Sequence, residues 1–169
     1  GIRDDQESRG LGDVYKRQHF DLTRFIAFGH SVGGGMAVSI AAAYPGRCRG
    51  VITESAQEFV EDRTLEGIRV AGEQFKDPSQ LDRLKRYHGE KAQWVLDAWV
   101  QTWQSPEFAD WNLDAVLPRV TVPLLAIHGE NDEYGSMRHP EKLVALAGEF
   151  ATFTAVSYTH LTLPTTPYV

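Results

Sequence analysis

Ser31 stands between two glycines in Gly29-His30-Ser31-Val32-Gly33, the spacing at which a serine hydroxyl can be made into a nucleophile. A serine attacks a carbonyl only when a base takes its proton and its oxygen projects into open space. A tight strand-to-helix turn with strained backbone angles gives the projection, and Gly29 and Gly33 are expected to remove the side chains that would collide there. Val32 would then open the following helix, whose first N–H groups lack intrahelical acceptors and carry partial positive charge. Its N–H is therefore expected to be one donor of an oxyanion hole. A phosphate-cradling glycine loop is the competing reading, but the P-loop lysine is missing and G-x-G-x-x-G does not fit around Ser31.

The flanking residues supply the elements such a turn requires. Phe25-Ile26-Ala27-Phe28 is a short continuous apolar run, the pattern of a parallel strand buried on both faces. After the serine, Met36, Ala37, Ile40, Ala41 and Tyr44 recur at helical spacing until Pro45-Gly46 ends the pattern. Gly50-Val51-Ile52-Thr53-Glu54 and Pro123-Leu124-Leu125-Ala126-Ile127-His128 read as further strands, residues 141–147 as a helix, and residues 152–155 as the start of another strand. Strands alternating with helices predict an α/β fold, a parallel sheet wound by right-handed crossovers. Residues 59–118 are instead charged and aromatic at helical spacing, as in Trp94, Val95, Ala98, Trp99, Thr102 and Trp103, with turns at Asp77-Pro78-Ser79 and Ser105-Pro106. They read as a small helical insertion over the sheet edge.

Through Phe25-Ile26-Ala27-Phe28-Gly29-His30-Ser31-Val32-Gly33-Gly34 and Leu124-Leu125-Ala126-Ile127-His128-Gly129-Glu130-Asn131-Asp132 the chain resembles the α/β-hydrolase family, specifically its small-capped, carboxylesterase-like serine hydrolases. The resemblance implies a partial α/β-hydrolase fold in which residues 19–58 and 119–155 form the core and residues 59–118 the cap. It also implies the chain order nucleophile, acid, histidine, with Ser31 attacking and Asp132 orienting the histidine. Glu130 and Glu133 flank Asp132 but fit the family spacing less well, and Glu54 ends an earlier strand where some relatives carry their acid. The resemblance places the family's histidine on a loop after the last strand, which this chain is expected not to reach. His160 lacks the glycine that usually precedes that histidine and is rejected. His30 and His128 are expected to pack or shape the pocket, His88 and His139 to face solvent or cap helices, and His19 touches a terminal junction.

Residues 13–18 are what GAT GTG TAT AAG AGA CAG encodes, a transposase end sequence used to build sequencing libraries, and residues 156–160 translate its reverse complement. That frame requires residue 155 to be Ser, Pro, Thr or Ala, and it is Ala155. Residues 1–18 and 156–169 are therefore expected to be adapter translation carrying no functional information, and residues 19–155 to be the natural fragment. On this reading the parent is a serine hydrolase of small ester or related acyl substrates, and the fragment itself is inactive. It lacks both the base and the upstream loop that completes the oxyanion hole. The rival reading is a non-catalytic ligand-binding relative of the same fold.

Composition narrows the partners. The chain has 169 residues, 42% hydrophobic and 24% charged, as in a globular protein, and its net charge of −6 gives no reason to expect nucleic acid or an anionic membrane. Cys48 is the only cysteine, so an intrachain disulfide and thiolate clusters are ruled out, and a cytoplasmic setting is expected. A small-molecule substrate is expected, with no metal or organic cofactor; the oligomeric state is left open. Most of Trp94, Trp99, Trp103 and Trp111 are expected to fill the core between cap and sheet, with one or two lining an apolar pocket over Ser31. Arg63 and Arg69 are either substrate-carboxylate anchors or exposed cap charges. Among relatives of this layout, the resemblance leaves esterases, enol-lactonases and carbon–carbon bond hydrolases of ring-cleavage products as alternatives.

Overall fold

The structure, a computed structural model, describes residues 23–157. His19, His160, residues 1–18 and residues 158–169 of the terminal segments lie outside the described residues. Four parallel strands, β1 (Phe25–His30), β2 (Cys48–Glu54), β3 (Leu124–Gly129) and β4 (Ala151–Val156), follow one another across a single sheet in chain order. Parallel neighbours need crossovers. These are α1 (Val32–Ala43), the long excursion between β2 and β3, and α5 (Arg138–Ala147). The α/β class and every expected strand are present, each within two residues of the position read from the sequence.

The register explains where the core sits. Ala27, Val51, Leu124 and Ala151 form one row across the four strands and are all buried. On that face α1 packs against β1 and β2, α5 packs against β3 and β4, and both helices reach the short turn Leu117–Arg119. The next row, Phe28, Ile52, Leu125 and Thr152, points the other way, and none of it is buried. This corrects the expectation for β1: Ile26 is 63% and Phe28 56% exposed, because among the described residues helices cover one face only. An apolar run reports a strand that prefers burial; it does not say how many faces are covered.

α1 begins directly after Ser31 and is built of small residues, Gly33, Gly34, Gly35, Ala37 and Ala41 through Ala43, which let its axis lie close to the sheet. It stops where Tyr44 N–H closes on the Ile40 carbonyl at 2.9 Å and Pro45 follows. The excursion carries three helices, α2 (Asp62–Gln74), α3 (Pro78–His88) and α4 (Ala92–Gln104), with α4 packed between the other two. α3 starts with Asp77 accepting from Ser79 N–H at 2.9 Å and with proline at its first position. The neck of the cap is closed by an antiparallel bridge between Phe59 and Asn112, flanked by Leu113 N–H donating to the Glu58 carbonyl at 2.9 Å. Among the described residues no helix is long and apolar enough to cross a membrane.

Val156, the first residue of the segment that reads as adapter, ends β4 and accepts from Glu130 N–H at 2.9 Å. That bond joins two backbone groups and is indifferent to the side chain its codon specifies.

Candidate active site

Ser31 occupies the turn between β1 and α1 with φ 54° and ψ −125°, the left-handed half of the map that a residue with a Cβ rarely enters. Its N–H is tied to the Glu54 carbonyl at 2.8 Å, and its carbonyl accepts from Gly34 N–H at 2.9 Å, so both neighbouring elements hold the strained residue in place. Val32 follows as the first residue of α1, where the helix offers its N–H no acceptor. The glycines divide the steric work differently from the sequence expectation. A Cβ on Gly29 would lie 1.9 Å from the Gly33 carbonyl oxygen, whereas one on Gly33 would meet nothing within 4 Å. The second crowded position is Gly34, where a Cβ would be 2.4 Å from that of Ala56.

The Ser31 hydroxyl donates to Gln57 Oε1 at 3.1 Å, and among the described residues no histidine ring is hydrogen-bonded to it. Gln57 was not singled out in the sequence. It follows β2 by three residues, beyond the carboxyl end of a parallel strand where such folds place ligands, and that position is the signal that could have found it. The intervening Ser55 has φ 47°, and this second left-handed residue turns the chain back toward α1.

Asp132 lies three residues beyond β3, buried to 2% exposure. Its Oδ1 accepts from Tyr134 N–H at 2.8 Å and Gly135 N–H at 3.0 Å, which fixes the carboxylate in a tight loop. Of the rival acids, Glu130 and Glu133 are exposed; Glu54 is buried and gives its backbone carbonyl to Ser31. His128 is buried, and its Nε2 donates to the Gly135 carbonyl at 3.1 Å, bracing the loop. The cap helix α2 grips the same loop. Arg63 donates to the Asp132 carbonyl at 3.2 Å and Thr64 to the Tyr134 carbonyl at 2.5 Å. Arg69 pairs with Glu66 on the exposed face of α2.

Behind the loop lies a polar cluster. His139, expected to face solvent or cap a helix, is fully buried, with its ring tilted against Phe59 at 4.3 Å between ring centroids. Its Nδ1 accepts from Glu58 N–H at 3.1 Å, so the proton sits on Nε2, which donates to Glu61 Oε1 at 3.1 Å. Burial pushes its pKa down to about 4, against the pull of Glu61 and with His128 adding to the lowering. For Glu61 burial acts upward, but the Ser136 N–H and hydroxyl and the His139 ring outweigh it and hold the carboxyl below its usual range. Glu61 thus joins the start of α2 to the acid loop, accepting from Ser136 N–H at 2.6 Å and its hydroxyl at 2.9 Å. Glu58 is raised to about 7 by burial, opposed by Lys142 at 3.7 Å and reinforced by Asp114.

A cleft of about 200 Å³ opens over the serine, lined by Ser31, Val32, His30, Gln57 and the cap side chains Ile68, Trp99 and Trp103, with Tyr134 from the acid loop. Two of the four tryptophans therefore face the site. Trp103 also packs edge-on to Phe108 and Trp111, while Trp94 is 58% exposed.

A strained serine between a parallel strand and a helix, with a buried aspartate after a later strand and a helical cap above, is the architecture of the α/β hydrolases. The chain belongs to that family: the model of the alpha/beta hydrolase fold matches residues 11–164. No curated protein matches its sequence. Among solved structures it is similar to MGS-M2, an alpha/beta hydrolase enzyme from a Medee basin deep-sea metagenome library, with TM-score 0.61, 17% identity and coverage of 88% of this chain and 61% of that one. An alpha/beta fold family hydrolase from Bacillus anthracis str. Sterne gives 0.65 and 16%, covering 90% and 66%. A meta-cleavage product hydrolase from Pseudomonas fluorescens IP01 gives 0.55 and 17%, covering 82% and 58%. At these identities the likeness is one of fold. The chain spans less than two thirds of each neighbour.

Proposed function

We propose that the parent protein is a cytoplasmic serine hydrolase in which Ser31 attacks the carbonyl of a small ester or related acyl substrate. Val32 N–H stabilises the oxyanion, and Asp132 orients a histidine supplied by chain beyond these residues. The observation that carries this reading is the conformation of Ser31, φ 54° and ψ −125° at the lip of the cleft, since backbone strain of this order persists where a side chain must be presented. The acid loop supports it, because two N–H groups hold the Asp132 carboxylate in a fixed place from which it can orient an imidazole. The meta-cleavage product named for one neighbour's substrate, and enol-lactones, are the candidates within this reading.

The 169-residue chain by itself is proposed to be inactive, since the partner of the Ser31 hydroxyl is a carboxamide, which takes no proton. We also keep residues 1–18 and 156–169 as adapter translation, which resequencing of the source DNA across both junctions tests. Turnover of p-nitrophenyl acetate by the chain should match that of Ser31→Ala; sustained turnover lost in that variant would overturn the inactivity. The same carboxamide is what favours the rival, a ligand-binding relative without catalysis, and a parent gene with no distal histidine would establish it.

A further inference from the structure

Resting on the reading of the Ser31 cleft as an acyl site, we propose that Gln57 is its specificity-determining residue, donating from its side-chain Nε2 to a carbonyl oxygen of an uncharged, flat apolar substrate. Gln57 is 4% exposed, and its Oε1 is committed to the Ser31 hydroxyl at 3.1 Å. Its two amide hydrogens have no acceptor among the described residues. Among the described residues, Gln57 Nε2 is not one of the fully buried polar atoms that lack a hydrogen-bond partner, as atoms of Thr53, Ser55 and Ser105 are, so it is reached from the cleft that the residue lines. A nearly buried donor without a protein acceptor forfeits a hydrogen bond unless a ligand or water accepts it.

The backbone holds this donor rigidly. Ser55 in the left-handed region turns the chain after β2, and Ala56 seats against Gly34, where even a methyl group would clash at 2.4 Å. Gln57 is therefore set against Ser31 by the same close approach that positions the nucleophile. The rest of the lining decides the substrate class. Ile68, Trp99 and Trp103 supply apolar walls, and no arginine lines the cleft among the described residues; Arg63 serves the Asp132 carbonyl and Arg69 serves Glu66. Among the described residues a substrate carboxylate would find no guanidinium there. The volume of about 200 Å³ suits one ring plus a carbonyl group, given that an apolar cavity of about 150 Å³ takes up benzene.

Acetophenone and α-methylstyrene have nearly the same shape and differ in presenting C=O or C=CH2, so their affinity ratio isolates the proposed bond. Quenching of the tryptophan fluorescence of the 169-residue chain reads their binding, because Trp99 and Trp103 line the cleft. The expected result is acetophenone bound about fivefold to tenfold more tightly, the fold-change of one net hydrogen bond. Gln57→Leu should bring the ratio to about one while α-methylstyrene affinity holds within about twofold, as for any surface that has lost only its polar reader. Gln57→Met, unbranched and of similar length, gives the same readout should the leucine variant fail to fold. Equal affinities in the unaltered chain, a ratio that survives both substitutions, a preference for 1-phenylethanol over acetophenone, or no binding of either probe would each overturn the inference. Failure of the hydrolase reading is separate: it appears as a fluorophosphonate-inert Ser31 in the parent protein with the carbonyl preference intact.

Discussion

Replacing Glu58 by glutamine should stabilise the protein at neutral pH and leave it unchanged near pH 4.5. Folded Glu58 keeps its proton up to about 7, while the unfolded side chain releases it around 4.5. Between those values unfolding releases a proton, so stability falls as pH rises, at about 1.4 kcal/mol per unit and by about 3 kcal/mol over the window. His139 works in the opposite sense. Its folded value of about 4 lies below 6.5, so between them unfolding takes up a proton and stability rises with pH at the same slope. From pH 4.5 to 6.5 the two contributions cancel, and this pair leaves the curve nearly flat. Glu58→Gln removes one slope and keeps the other, because the Glu58 N–H that donates to His139 Nδ1 is backbone. Urea unfolding followed by tryptophan fluorescence at half-unit steps should show variant minus wild type climbing by about 3 kcal/mol between pH 4.5 and 7, a midpoint shift of about 1–3 M. A difference independent of pH would refute the burial argument for Glu58.

The two glycines that bracket the serine should respond unequally. Gly29→Ala forces a methyl onto the Gly33 carbonyl at 1.9 Å and should cost about 3 kcal/mol or more in unfolding free energy, whereas Gly33→Ala meets open space in a helix and should gain up to about 1 kcal/mol. Equal losses by denaturant titration would contradict this. Ser31→Gly should be about 1 kcal/mol more stable than Ser31→Ala, since both lose the bond to Gln57 and only glycine is at ease at φ 54°. In thermal unfolding, Trp103→Ala should cost about 3–5 kcal/mol, its ring being buried against Phe108 and Trp111. Trp94→Ala, at an exposed position, should stay within about 0.5 kcal/mol.

What the residues disclosed in advance was local or periodic. The strand, turn and helix around Ser31 follow each other without a spacer, so their apolar run, glycines and small-residue helix are legible together. Asp132 was legible through its place after a strand-like segment, by resemblance. The interactions that complete the site are long in sequence and silent in pattern. Gln57 meets Ser31 across 26 residues, Glu61 meets His139 across 78, and no spacing within either segment announces the partner. His139 was misplaced because a histidine before Pro140 at a helix start ordinarily faces solvent or caps the helix, and here Phe59, Glu58 and Glu61 enclose it. The exposed flank of β1 was misread for a similar reason, since coverage of a sheet face is decided by distant elements. Gly33 and Gly34 show the limit of motif reading: the motif names the first, while the packing of Ala56 requires the second.

The central claim is that the strained hydroxyl at Ser31 is a nucleophile. The direct measurement is fluorophosphonate labelling of the parent protein, recovered by reading the gene outward across both junctions, with the modified residue mapped by peptide mass spectrometry. The account predicts a single adduct on Ser31, lost in Ser31→Ala. An adduct on another residue, or one that persists in that variant, would contradict it.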